Sequence, residues 1–208
     1  MRFLVLTVLV TLSSGCEPAS KFVQCPPDTY ADGMGPPFGK RVVCLSRVEL
    51  SEAERPQRHG PELRWFGGGT MRSKQTYVRD ELSGRSQTWF SNGKPSKDGA
   101  YEDDLRVGLW TEWAYEGHLR SKSTYRAGRL HGVRSFFYPG GQLKSEHSYY
   151  EGVLHGPAKA FHSNGALKYS GRYGHNVRQG WWRTENPEGM EIESAYFVDG
   201  KVSAAPTR

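Results

Sequence analysis

The chain has 208 residues, only 36% of them hydrophobic, and a mean hydropathy of −0.69. That is too little apolar material for one deep core, and it favours an elongated structure in which each part buries a little against its neighbours. The 25 glycines and 12% aromatic residues suit many tight turns, with large rings doing much of the burial. The formal net charge of +6 is scattered along the chain, which reads as a solvated basic surface. No nucleic-acid motif accompanies it, and no nucleic-acid partner is expected.

Residues 1–16 read MRFLVLTVLVTLSSGC. Arg2 gives a positive start, and the apolar run from Phe3 to Leu12 is too short to span a bilayer but suits the core of an export signal. Ser13, Ser14 and Gly15 lead into Cys16. The segment resembles a bacterial lipoprotein signal. That resemblance implies removal of residues 1–15, acylation of the Cys16 thiol, and a chain held in the bacterial cell envelope through its lipid. Glu17 after the cysteine points to the outer membrane, facing the periplasm or the surface.

Residues 16–59 read as a tether, a disulfide loop and a charged linker. With Cys16 assigned to lipid, Cys25 and Cys44 remain, and an even remainder in an exported chain suggests a disulfide between them. The loop they enclose is rich in proline and glycine and is not expected to hold a shape unaided. Closing it contributes about 3 kcal/mol in the chain-entropy model. Residues 45–59 are strongly charged, with a short helix expected around Leu50–Arg55.

From residue 60 the sequence repeats every 24 residues. Glycine recurs at Gly60, Gly84, Gly108, Gly132, Gly156 and Gly180, and again at Gly69, Gly93, Gly117, Gly141, Gly165 and Gly189. An aromatic recurs at Tyr77, Tyr101, Tyr125, Tyr149, Tyr173 and Phe197. A fixed period in this range marks a repeat array. Within a copy, two strand-like runs flank a turn such as Ser91-Asn92-Gly93 or Ser163-Asn164-Gly165, so each copy reads as a β-hairpin. The Asn-Gly pairs are read as turns in which both residues take positive φ. Leu143 and Tyr149 share parity and are expected on one face, together with a matching inward column of Trp65, Trp89, Trp113, Phe137 and Phe161 from the first strands. The Gly60-type column is expected to leave room for a neighbouring ring. In the last copy Glu185 and Glu191 replace apolar residues, as a terminal cap would require.

Segments such as FFYPGGQLKSEHSYYEGVLHG, with the pairs His59-Gly60, His131-Gly132 and His155-Gly156, resemble the MORN repeat, in the bacterial variant found in proteins often labelled YwqK-family antitoxins. The resemblance covers about residues 60–202, leaving 203–208 as a tail. It implies an all-β, elongated array of six hairpin repeats forming a single twisted antiparallel sheet. It also implies a non-catalytic surface for binding or scaffolding, and it transfers no catalytic residue. The expected partner is a protein of the cell envelope, with the membrane engaged through the lipid anchor. An antitoxin role, or binding to an anionic lipid surface, is the alternative.

No GxSxG, Walker-type, HExxH or EF-hand pattern occurs, so no enzyme, cofactor or metal is expected. His59, His131 and His155 occupy one column, about 10 Å apart in adjacent copies, too far for a shared metal. His147, His162 and His175 lack a paired ligand at diagnostic spacing, and Asp103-Asp104 reads as a turn pair. The one candidate site is an aromatic strip of Phe66, Phe90, Trp110, Phe136, Tyr138 and Trp182, which share the parity opposite to the inward column. Exposed, these rings would bind a partner; covered, they are packing.

Overall fold

Two turn chemistries alternate along the chain and dictate its fold. At the first, the residue before the turn accepts from the glycine N–H and donates to the carbonyl after it: Gly93 to Phe90 at 3.0 Å and Phe90 to Lys94 at 2.8 Å. Of the Asn-Gly pairs, only the glycine is left-handed, with φ of 82° at Gly93 and 88° at Gly165. These are therefore not two-residue turns with positive φ at both positions, as the sequence suggests. The asparagine instead links copies: Asn92 Nδ2 donates to Tyr115 O at 2.8 Å, and Asn164 Nδ2 to Pro187 O at 2.7 Å. The second turn is the one with positive φ at both residues, at Asp103-Asp104 (47° and 62°) and His175-Asn176 (48° and 70°) among others. This is type I′ geometry, whose twist matches that of the flanking strands. Asp104 Oδ1 accepts the Leu82 N–H, and Asn176 Oδ1 the Leu154 N–H, both at 2.8 Å. Both ends of every hairpin are thus positioned to stack on the next copy.

The computed structural model describes residues 18–37, 39–46 and 55–206. The export signal, Cys16 with its expected lipid, Glu17, and all but the last residue of the helix expected around Leu50–Arg55 lie outside them. Arg55 itself is not helical. The strands run β1 (Thr29–Met34), β2 (Arg41–Ser46), β3 (Arg58–Trp65), β4 (Met71–Val78), β5 (Glu81–Leu82), β6 (Gly84–Trp89), β7 (Pro95–Glu102) and β8 (Leu105–Trp113). They continue as β9 (Leu119–Arg126), β10 (Arg129–Phe137), β11 (Leu143–Tyr150), β12 (Val153–Phe161), β13 (Leu167–Gly174), β14 (Val177–Glu185), β15 (Glu191–Val198) and β16 (Lys201–Ser203). They form one open, antiparallel, 16-stranded sheet in chain order, with the short β5 pairing β4 beside the main path. The all-β hairpin array expected from the sequence is present.

The array begins earlier than the glycine columns do. The loop between the cysteines is not shapeless: it holds the β1–β2 hairpin, and β2 pairs with β3. Arg41 facing Arg64 and Leu45 facing Arg58 reproduce the pairings Ser121–Phe136 and Tyr125–Leu130 found deeper in the array. A further hairpin in the repeat register therefore precedes the six, and both ends of the expected linker, Leu45–Ser46 and Arg58–His59, are strand. The Cys25–Cys44 disulfide ties the preceding segment to β2. Ala19, Phe22 and Val23 in that segment cover a cluster of Val42, Leu63 and Trp65, with the Phe22 ring edge-on to Trp65 at 5.5 Å.

A one-residue register shift recurs in each of the six hairpins from β3–β4 to β14–β15. Phe136 faces Ser145 but Phe137 faces Leu143, leaving Lys144 over. The extra residue undoes the simple parity that placed Leu143 with Tyr149. In the first copy Met71, the counterpart of Leu143, joins Leu63 and Trp65, whereas Tyr173 and Phe197 of the tyrosine column pack with Ala158 and Trp182. Of the expected inward column only Trp65 is buried; Trp89, Trp113, Phe137 and Phe161 are half-buried. The reason is architectural: the sheet is a single layer, and among the described residues a further segment covers this column at Trp65 alone. The Gly60-type column does not make room for a ring either. At Gly84 and Gly156 an added Cβ would lie 3.3 Å from Thr76 Cβ and 3.2 Å from Ser148 Cβ, and glycine is needed there because φ is 107° and 104°. At the far end Glu185 faces Glu191, and Arg183 bridges both at 2.6 and 3.2 Å, so the polar cap is an ion-paired one. β16 follows it and ends at Ser203, inside the expected tail.

Candidate functional site

The six aromatics of the strip do not form an exposed surface. Trp110 and Trp182 are 3% and 5% exposed. Each lies flat against a strand glycine of the preceding copy: a Cβ on Gly99 would sit 2.3 Å from Trp110 Cδ2, and one on Gly171 2.2 Å from Trp182 Cδ2. Each indole N–H donates to a backbone carbonyl, Ala100 or Arg172, at 3.1 Å. A guanidinium covers each ring, Arg106 at 4.5 Å and Arg178 at 4.6 Å, and a tyrosine stands edge-on, Tyr101 at 5.0 Å and Tyr173 at 4.9 Å. Two copies of one packing unit, three repeats apart, thus form the interior of this face. The sequence carries its signal in the glycines Gly99 and Gly171, placed mid-strand where a repeat otherwise has a side chain. The remaining four rings are half-buried. Phe90 packs on Tyr115 at 5.4 Å, the Tyr138 hydroxyl donates to Phe161 O at 2.9 Å, and Arg134 lies 4.6 Å over Phe136. Phe66 lies 5.7 Å from the Arg72 guanidinium.

The exposed apolar groups are on the other face, in a column that sequence reasoning missed. Leu109, Val133 and Trp181 each follow directly on a repeat glycine and are 56%, 47% and 58% exposed. They face Thr124, Ser148 and Tyr196 across their hairpins. With two strands per copy, successive members of this column stand about 10 Å apart. Tyr150 is likewise exposed, and the Trp181 ring packs edge-on to Tyr196 at 5.7 Å. A shallow depression of ≈ 460 Å³ beside Leu109 is lined by Arg85, Asp98, Ala100, Val107 and Thr111 among others. The available signal was simple: an apolar residue next to a positive-φ glycine on a strand with no second layer above it.

One carboxylate is buried outright. Glu62, 1% exposed, accepts from Arg41 at 2.7 Å and from Arg64, with Arg58 at 3.7 Å. Burial alone would push its pKa up; the hydrogen bonds from Arg64 and Arg41, with their charges, outweigh that and hold it below the usual carboxylate range. A depressed folded pKa means the contribution is complete above the unfolded value of about 4.3 and disappears as pH falls through the lower folded value. Unfolding between pH 6 and pH 3 is therefore expected to be less pH-dependent in Glu62→Gln than in the parent, and the variant is expected to be about 1–3 kcal/mol less stable at neutral pH. Parallel acid-denaturation curves for the two proteins would contradict this.

The histidines serve local contacts. His147 Nε2 meets the Tyr169 hydroxyl at 2.9 Å, His162 Nε2 meets Glu185 O at 2.9 Å, and His131 Nδ1 meets Glu151 at 3.2 Å. The His155 and His175 rings are 5.2 Å apart. Among the described residues no group of three or more His, Cys, Asp or Glu is placed to hold a metal.

Open single-layer sheets of stacked hairpins define a class of β repeat proteins. A family model, MORN repeat variant, matches residues 130–150 and 154–175. These segments coincide with the β10–β11 and β12–β13 hairpins, so these two copies of the array match the MORN repeat variant. The repeats point to a repeat-based binding or scaffold module. No curated protein matches the chain.

Proposed function

We propose that the chain is a lipid-anchored protein of the bacterial cell envelope whose repeat array is a non-catalytic docking platform for a protein partner. The observation that carries this reading is the exposed column of Leu109, Val133 and Trp181 on an uncovered sheet face. Apolar groups of this size in one column of a sheet give a partner something to bury, and a tryptophan is the residue type that most often dominates such contacts. The disulfide suits an oxidising compartment, and the sequence of residues 1–16 supplies the anchor.

Photo-crosslinking in cells from positions 109 and 181, with intact-mass analysis of the membrane fraction, tests both parts. The expected result is one crosslinked envelope protein from both positions, none from Glu188 at an exposed turn, and a diacyl- or triacyl-cysteine at Cys16. The same adduct from position 188 would remove the platform. An unprocessed chain in the cytoplasm would remove the anchor and put an antitoxin role first. A second reading rests on the exposed basic residues Arg120, Lys144 and Lys168, which occupy one column of successive copies. It predicts retention on anionic vesicles that falls steeply with salt.

A further inference from the structure

The face opposite the exposed column carries a guanidinium with no carboxylate partner among the described residues. Arg134 occupies, in its repeat, the column held by Glu62, Ser86, Trp110, Ala158 and Trp182 elsewhere. That column is matched in size across each junction with the preceding copy: Gly99 with Trp110, Gly171 with Trp182, Gln75 with Ser86 through a 3.3 Å hydrogen bond, and His147 facing Ala158. Arg134 faces the buried Ser123 on one side and His147 on the other. Its Nε is enclosed and makes no hydrogen bond, and among the described residues the guanidinium forms no ion pair. The arginines in comparable settings are provided for. Arg58 is paired with Asp80 at 2.9 Å, and Arg106 reaches the Tyr125 hydroxyl at 3.3 Å. Glu112, on the same face, is engaged by Lys97 at 3.7 Å and by Ser121 at 3.4 Å.

The surroundings of Arg134 fit one small anion. Its guanidinium lies over Phe136, and His147 reaches across the small, buried Ala158 and Ala160 to the Tyr169 hydroxyl at 2.9 Å. Burial, and then the Arg134 charge, hold the His147 pKa below its ordinary value, so the imidazole is neutral at pH 7. The cluster therefore carries a single positive charge, which matches a monoanionic carboxylate better than a phosphate dianion. The same column shows that this face accommodates such a group, since Glu62 sits there between guanidiniums.

We propose that Arg134, flanked by Phe136 and by His147, which Tyr169 holds, is a binding site for one carboxylate of an acidic peptide segment of a partner. The guanidinium supplies the charge-assisted hydrogen bonds, and the flanking rings supply contact with the rest of the peptide. This site is independent of the docking column, which lies on the opposite face.

The test is titration of the full chain with hexaglutamate, with acetate and with inorganic phosphate, following the Arg134 Nε–H and His147 ring signals by NMR. Saturable shifts with hexaglutamate, weakened about tenfold or more in Arg134→Gln and partly restored in Arg134→Lys, are expected, with Lys201→Gln, at the exposed far end of the sheet, unchanged. Circular dichroism of the variants checks that the sheet is intact. Equal binding by parent and Arg134→Gln, tighter binding of phosphate than of hexaglutamate, or acetate binding as tightly as the peptide would each overturn the proposal. Loss of crosslinking from positions 109 and 181 would leave it standing, because that experiment reads the other face.

Discussion

Replacing Trp182 by alanine is expected to lower stability by about 3–5 kcal/mol, and replacing its neighbour Trp181 to change it by less than about 0.5 kcal/mol. The two tryptophans are adjacent in sequence but point to opposite faces; one is 5% and the other 58% exposed. Trp182 lies on Gly171, is hydrogen-bonded to Arg172 O and is covered by Arg178, so its removal leaves a hole that backbone cannot fill. Trp110 repeats the arrangement and is expected to repeat the loss. Because each hairpin contacts only its neighbours, Trp182→Ala should detach the C-terminal hairpins before the rest, splitting urea unfolding into two transitions. Gly171→Ala attacks the same contact from the other side and should cost about 1–3 kcal/mol by overpacking. Equal small losses in Trp181→Ala and Trp182→Ala would show that Trp182 is not the interior residue described here.

Breaking the disulfide by Cys25→Ser with Cys44→Ala is expected to cost about 2–4 kcal/mol. The effect should be local. Cys44 is fully buried in β2, and the segment it holds carries Phe22 onto Trp65. Hydrogen exchange in the double variant should accelerate over residues 29–65 and stay unchanged from β8 to β14. Uniform acceleration along the sheet would mean that the N-terminal hairpin is not a separable end of the array.

The comparison of these two regions shows where sequence reading succeeds and where it stops. The glycine and tyrosine columns are local: glycine takes the positive φ that recurs at fixed places in every copy, so the period, the hairpins and the single sheet could be read directly from residues 60–202. The β1–β2 hairpin could not. Its turns lack the 24-residue spacing, and it is held by pairing to β3 and by the disulfide, both of which are long-range. Whether the six aromatics bind or pack could not be read from the sequence for a related reason. Parity assigns a face only within an unbroken strand, and every copy contains a register shift between Phe136 and Phe137 or their counterparts. Parity is also silent on cover. Phe66, Phe90, Phe136 and Tyr138 sit at half-buried places, while Trp110 and Trp182 are buried by a glycine in one direction and an arginine in the other.

The sequence by itself therefore determined the repeat unit, the places of its turns, its strand order and the pairing of Cys25 with Cys44, because each follows from the glycine period or from counting. Only the tertiary structure decided which aromatics are interior, that Leu109, Val133 and Trp181 stand exposed, and that Arg134 lacks a counter-charge among the described residues. Those properties depend on what lies one strand away, and on a one-layer sheet the neighbouring strand is the only cover a side chain has.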